Sequence, residues 1–162
     1  MRSSRPTPTT RAVDTPASRL AVDISLGGQR VPLSADRIRD LVRRTLLAER
    51  VRESMISVAL VSSREIAKLN REHLDRAGPT DVISFALGRA SPGSGPVVGD
   101  IYICPDVVRK NAGHFGVGMR EELARVVVHG TLHAMGYDHE EGEDRVSSDM
   151  WRKQERILAD VL

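Results

Sequence analysis

Three histidines near the end of the chain have a spacing that suits one divalent metal ion. His129 and His133 are four residues apart, so on a helix both would project from one face about one turn apart. Gly136 can end that helix because glycine accepts left-handed backbone angles, and the chain can then bring His139 back to the same point. Three neutral imidazoles with an open fourth position are typical of catalytic zinc. We therefore predict one divalent metal ion, most simply Zn²⁺, bound by His129, His133 and His139.

A metal ion held in this way would support hydrolysis. Water bound to such an ion has a pKa near ~7 instead of ~15.7, so a hydroxide nucleophile becomes available at neutral pH. Imidazoles also bind nickel, cobalt and iron, so the ligand type favours zinc without requiring it. The other two histidines, His73 and His114, have no comparable neighbours in the sequence, and we interpret both as ordinary surface or boundary residues.

One position separates this pattern from that of a protease. The spacing HxxxHxxGxxH also occurs in metzincin proteases, which place a glutamate directly after the first histidine as general base. Here that residue is Gly130, which cannot accept a proton. Phosphodiester cleavage needs less from a protein base when a metal activates water or polarises the phosphate, with Arg or Lys stabilising the developing charge. A metalloprotease is therefore the less favoured hypothesis.

The amino-acid composition narrows the classes of function and of binding site that remain. The chain has 162 residues, a formal net charge of +2 and a sequence pI of about 9.0, which is compatible with a polyanionic partner. Aromatic residues make up only 3% of the chain, which predicts little stacking surface for bases. Its single cysteine, Cys104, rules out an internal disulfide and a thiolate zinc site, and we expect it to be a small buried apolar residue.

The sequence also predicts the domain organisation and the cellular location. Residues 1–18 are rich in Pro, Thr, Ser and Arg and predict a disordered N-terminal tail, leaving residues 19–162 as a single catalytic domain. The sequence has no apolar stretch typical of a signal peptide or a membrane-spanning helix. We therefore expect a cytoplasmic protein with no membrane partner.

Hydrophobic periodicity predicts the elements that would position the histidines. Alternating or β-rich runs indicate four strands, and helical spacing with N-cap signals at Ser34, Ser62 and Pro105 indicates helices between and after them. The predicted strands cover about 20–26, 55–61, 81–85 and 97–104; the last two helices cover about 119–135 and 143–161. The predicted fold is α+β: a small mixed sheet of about four strands packed with about five helices, with a central buried helix carrying the metal ligands.

Two further segments have predicted roles outside the chemistry. Residues 88–96 are rich in Gly, Ser and Pro and predict a flexible loop. An acidic run precedes the last predicted helix, where negative charge complements the helix dipole, so we assign it a structural role. This run consists of Glu140, Glu141, Glu143 and Asp144.

The segment from His129 to His139, HGTLHAMGYDH, resembles the HGxLHxxGYDH signature of the YbeY family. Three other stretches agree with it: Leu69-Asn70, the run PTDVISF at 79–85, which is similar to the family's PTDVLSF strand, and the GDI run at 99–101. The resemblance covers the chain from about Leu20 to its end. The family consists of bacterial metal-dependent endoribonucleases that act as rRNA maturation factors.

The resemblance implies a specific activity and specific partners. It implies a zinc-type site made by the three histidines and endonucleolytic cleavage of single-stranded RNA. It also implies a part in 16S rRNA 3′-end maturation and ribosome quality control, with rRNA and the small ribosomal subunit as partners. We expect the protein to be a monomer.

Departures from the family pattern concern the residues around the metal. Many members have an arginine four residues after the Leu-Asn pair, where this chain has Leu74. Arg71 and Arg76 flank it and are candidates for the phosphate-binding role. Asp138 is a further candidate, either as proton donor or as a residue that orients a ligand. The strand motif ends in Ala86 where the family usually has proline, which we interpret as a local backbone preference.

A second hypothesis follows from the missing arginine and the missing base. The chain could be a ribosome assembly factor in which the metal is structural. A fourth protein ligand closing the site would favour that hypothesis, whereas an open position favours catalysis.

Overall fold

The predicted elements are present in the computed structural model, which describes residues 19–88, 95–138 and 148–162. Within these ranges the chain forms four strands and five helices, so the predicted α+β fold is confirmed. The strands are β1 (Arg19–Ser25), β2 (Glu53–Leu60), β3 (Val82–Ala86) and β4 (Val97–Ile103), and the helices are α1 (Ala35–Ala48), α2 (Ser63–Leu74), α3 (Pro105–Phe115), α4 (Met119–Ala134) and α5 (Asp149–Val161). No described helix is both long and apolar enough to cross a membrane.

The sheet is mixed, with strand order β1-β2-β4-β3. β1 pairs with β2 and β2 with β4 in parallel, whereas β3 runs antiparallel to β4 at the edge. Successive residues of a strand point to opposite faces, so Val82 and Ser84 face one side of the sheet and Ile83 and Phe85 the other. This alternation separates the helices that pack on the two faces.

The helix boundaries follow the predicted capping signals. The Ser34 and Ser62 hydroxyls accept hydrogen bonds from backbone N–H groups at the starts of α1 and α2, and Pro105 opens α3. The last helix begins later than predicted, because Ser148 has extended backbone angles and its hydroxyl caps α5 at the N–H of Trp151. The acidic run at 140–144, the tail at 1–18 and most of the predicted loop at 88–96 lie outside the described residues.

α4 is the central buried helix, as predicted. Leu123, Val127, Val128 and Leu132 are fully buried in the main core between the sheet and helices α1, α3 and α5. A second, smaller core lies on the other face of the sheet, where α2 packs over Ile83, Phe85 and Cys104. Cys104 is fully buried, which confirms the prediction for the single cysteine. α4 and α2 therefore cover opposite faces of the sheet.

Gly130 lets α4 approach the edge of the sheet closely. A Cβ atom at this position would lie 2.9 Å from the Cγ2 of Ile101 and 3.1 Å from the Cγ2 of Val82. The Ser84 hydroxyl donates a hydrogen bond of 2.8 Å to the Gly130 carbonyl. This face of the helix is therefore pressed against β3 and β4, and other faces of α4 carry the histidines.

A part-buried carboxylate ties the segment after α4 to two other helices. Glu49, at the C-terminal end of α1, accepts a hydrogen bond of 2.7 Å from the Tyr137 hydroxyl and one of 3.1 Å from Lys153 Nζ in α5. The hydrogen bond to Glu49 raises the pKa of Lys153 above its ordinary value of 10.5. Burial, together with the hydrogen bond to Glu49, also raises the pKa of Tyr137. The backbone leaving α4 is thus anchored two residues before His139.

Gly130→Ala tests the close approach of α4 to the sheet. Overpacking against Ile101 and Val82 costs ~1–3 kcal/mol, a range that lies mostly above the ~1 kcal/mol that alanine adds in helix propensity. We expect the free energy of unfolding to fall in urea denaturation. Gly113→Ala in α3 is the matched control, because its Cβ would meet nothing within 4 Å, and it should stabilise the protein. Equal effects of the two substitutions would contradict this account.

The Glu49 cluster predicts a loss of stability at alkaline pH. A raised pKa in the folded state means that Lys153 contributes its full stabilisation below about 10.5, and that this is lost as pH rises through the higher folded value. The free energy of unfolding should therefore decline as the pH rises above about 10.5, and Glu49→Gln should reduce that decline. The same decline in Glu49→Gln as in the wild type would exclude this cluster as its source.

Candidate metal centre

His129 and His133 meet on the C-terminal half of α4. Their Nε2 atoms lie 3.0 Å apart, and their ring centroids are 4.6 Å apart with an interplanar angle of 78°. Both rings are part-buried, and the side chain of His133 is 22% exposed. The four-residue spacing therefore directs one nitrogen of each imidazole to a shared point that solvent can reach.

A buried amide orients the His129 ring. Nδ1 of His129 lies 2.5 Å from Oε1 of Gln154, which is only 1% exposed. The Gln154 amide nitrogen donates to Oε1 of Glu155 at 3.2 Å. An ionised carboxylate only accepts hydrogen bonds, so the NH₂ group of Gln154 must face Glu155 and its oxygen must face His129. His129 therefore carries its proton on Nδ1, which leaves the Nε2 lone pair directed at the shared point.

Arg125 keeps that carboxylate in place. Its guanidinium donates to Glu155 at 2.9 Å, to Glu122 at 3.0 Å and to Glu121 at 3.1 Å. Burial lowers the pKa of Arg125, but the hydrogen bonds to these three carboxylates outweigh it and hold the pKa above its ordinary value. The resulting chain of contacts runs from a charged cluster at the start of α4, through α5, to the ring of His129.

Asp138 lies beside His133 without bonding to it. Its Oδ1 is 3.8 Å from Nδ1 of His133, beyond hydrogen-bonding distance, and its side chain is 96% exposed. The carboxylate is thus close to the ring nitrogen that faces away from the shared point. Its predicted roles as proton donor or orienting residue stay predictions.

The other predicted site residues are not part of this pair. His139 lies outside the described residues, and within those residues no group of three His, Cys, Asp or Glu side chains could hold a metal. Arg71 is exposed on α2, which covers the face of the sheet opposite α4, and Arg76 is exposed just after this helix. Leu74 is 45% exposed at the end of α2. His73 is exposed and its ring packs edge-on against Phe85, as expected of a surface residue.

Gly130 has a structural explanation that also bears on the protease hypothesis. The Cβ direction at this position points at Ile101, Val82 and Ser84. A glutamate there would be directed into the sheet, away from the shared point of the two imidazoles. The residue after the first histidine is therefore constrained by packing, and no general base can act from it.

Sequence reasoning missed Gln154 and Glu155. A signal was present, because the buried positions of α5 are Met150, Gln154, Ile157, Leu158 and Val161, and Gln154 is the polar member of this helical stripe. A polar side chain at an inward-facing position needs a hydrogen-bond partner. Only the packing of α5 against α4 identifies that partner as His129.

Comparison with known proteins identifies the family of this chain. The family model described as Endoribonuclease YbeY matches residues 25–162. Proteins with the same name from Thermotoga petrophila and Acidothermus cellulolyticus are similar to this chain. The first is 42% identical over 65% of this chain and 67% of its own length, and the second 35% identical over 75% and 80%.

A solved structure shares the fold. A solution structure of a Thermotoga maritima protein has a TM-score of 0.59 and 30% sequence identity, covering 86% of this chain and 88% of that one. Because the family model spans most of the sequence, these findings show that the chain belongs to the endoribonuclease YbeY family.

Proposed function

We propose that the protein is a metal-dependent endoribonuclease that cleaves single-stranded RNA, with one divalent ion, most simply Zn²⁺, bound by His129, His133 and His139. The observation that carries the proposal is the convergence of the two Nε2 atoms, 3.0 Å apart. Two ligands of a tetrahedral ion with bonds of ~2.0–2.1 Å lie ~3.3 Å apart, so the pair is already close to that spacing. Family membership supports the same activity.

The donor set also fits a metal. The partner of His129 Nδ1 makes Nε2 the unprotonated nitrogen, and only a neutral imidazole with a free lone pair binds a cation. His139, three residues after Gly136, is the expected third ligand, since Gly136 has a positive φ of 98° and turns the chain at the end of α4. The ion would supply Lewis-acid activation of water and of the phosphate.

The chain's own residues would hold the strand and move protons around that ion. Asp138 is exposed beside His133 and is the candidate proton donor to the leaving oxygen. Arg71 and Arg76, on the α2 side of the sheet, are candidates to bind phosphates farther along the strand. Gly130 cannot act as a base, so water activation depends on the ion.

We further propose rRNA as the substrate and the small ribosomal subunit as the partner, with action in 16S 3′-end maturation and ribosome quality control in the cytoplasm. The support is the resemblance of the histidine segment and of the PTDVISF and GDI strands to the family. The mild basic excess, +2 overall, is compatible with this partner.

His133→Ala tests the metal-dependent activity. Loss of one of two converging ligands should reduce cleavage of single-stranded rRNA fragments to the level of the chelator-treated wild type. Cleavage is followed on gels with and without chelator, and bound metal is measured on the same samples. His73→Ala is the matched control on the other face of the sheet and should keep full activity. Chelator-resistant cleavage would refute the mechanism, and chelation that only unfolds the protein would favour a structural metal.

Gln154→Leu tests how the His129 ring is positioned. Removing the acceptor for Nδ1–H should weaken zinc affinity by ~10–100-fold, measured by competition with a chromophoric chelator. The nitrogen chemical shifts of His129 should report loss of the Nδ1–H tautomer.

A buried polar-to-apolar change can also destabilise the fold, so Thr45→Val serves as a control. Thr45 is fully buried in α1, and its hydroxyl donates to the Leu41 carbonyl of its own helix. It should lower the thermal midpoint without changing zinc affinity. If Gln154→Leu and Thr45→Val reduce zinc affinity equally, Gln154 has no orienting role.

A further inference from the structure

A cavity of about 490 Å³ shares one wall with the proposed metal centre. It lies between α3, α4 and α5, and His129 and Gln154 line its inner side. Its volume falls in the range of pockets that bind small ligands, ~300–1,000 Å³. A group bound in this cavity would therefore lie next to His129, the imidazole whose Nε2 converges with that of His133.

Aromatic side chains are concentrated at this cavity. The chain has one Trp, two Tyr and two Phe, and both Trp151 and Phe115 line the cavity. Phe115, the last residue of α3, is 63% exposed, and Trp151 is part-buried in the first turn of α5. Low aromatic content predicts little stacking surface overall, yet the fold places two of the five rings at one site. An exposed ring beside a reaction centre is suited to a flat partner.

The charges of the cavity disfavour a phosphate as the bound group. Arg125 is the cationic side chain among its lining residues, and three carboxylates already hold its guanidinium. Asp81 adds a further negative charge to the wall. A phosphate would meet this charge, whereas an uncharged planar group would not.

Two polar side chains remain to recognise such a group. Asp81 accepts the N–H of Val82 through Oδ1, and its carboxylate lines the cavity. Asn111 also lines it, and no hydrogen bond joins its amide to another described residue. A carboxylate accepts from the exocyclic amino group of a base, and an amide both donates and accepts.

We infer that this cavity binds one nucleobase of the RNA strand, next to the bond that is cleaved. The base would lie against Phe115 and Trp151, with its amino group toward Asp81, so the three bases that carry an exocyclic amino group (adenine, cytosine and guanine) would be favoured over uracil. The phosphate would then lie outside the cavity, toward the imidazole pair. This inference rests on the proposed function, but it concerns binding and is measured without cleavage.

The single tryptophan makes the test direct. The full chain as purified is titrated with a 2′-O-methyl oligoadenylate and with the same oligomer carrying abasic residues, and each oligomer is checked on a gel for integrity. Trp151 fluorescence should change with the first oligomer and not with the second. Phe115→Ala should weaken binding of the base-containing oligomer by about 5- to 150-fold, the range of one base–aromatic stack.

Met55→Ala is the matched control. Met55 is 67% exposed on β2 and does not line the cavity, so this variant should bind like the wild type. Asp81→Asn keeps an acceptor for the Val82 N–H but replaces the second carboxylate oxygen with an NH₂ group. It should therefore reduce the preference for oligoadenylate over oligouridylate.

The outcomes separate this inference from the proposed function. Equal binding of abasic and base-containing oligomers, or unchanged affinity in Phe115→Ala, would overturn the base site even if rRNA is cleaved. Base-dependent fluorescence changes in a protein that cleaves no RNA would support the base site and refute the proposed activity. Should both hold, Phe115→Ala should raise KM for rRNA fragments more than it lowers kcat, since the ring acts in binding.

Discussion

The close contact between α4 and the sheet edge is the constraint on which the candidate site depends. Gly130 faces Ile101, Val82 and Ser84 without space for a side chain, and its carbonyl is held by the Ser84 hydroxyl. This contact sets the rotation of the helix about its axis. Since His129 and His133 are fixed relative to Gly130 by helical geometry, the same contact directs them away from the sheet.

The orientation of the rings depends on polar groups that are costly to bury. Gln154 is almost completely buried, and a buried amide without partners would destabilise the fold. Its two partners, His129 and Glu155, satisfy both ends of the amide, while Arg125 neutralises the carboxylate. The arrangement therefore stabilises the packing of α5 on α4 and at the same time selects the tautomer in which His129 Nε2 can bind a cation.

The segment that follows α4 is anchored separately. Glu49 joins Tyr137 and Lys153, so α1, α5 and the chain two residues before His139 meet at one part-buried carboxylate. The cavity on the other side of His129 is framed by α3, α4 and α5. Helices α1, α3 and α5 thus all pack against α4, the helix that carries the histidine pair.

Local sequence determined much of this protein. The capping residues Ser34 and Ser62, the strand alternation and the i, i+4 histidines each act within a few residues, and their structural consequences were predictable from the sequence. The family resemblance likewise resides in one short segment and three supporting stretches.

Other features of the site depend on contacts between residues that are distant in the sequence. His129 and Gln154 are 25 residues apart, and the rings of Phe115 and Trp151 meet one cavity only because α3 and α5 both pack on α4. Only the tertiary structure decided the His129–Gln154 contact and the walls of the cavity. Both depend on how the helices pack against each other, and local hydrophobic periodicity does not specify that packing.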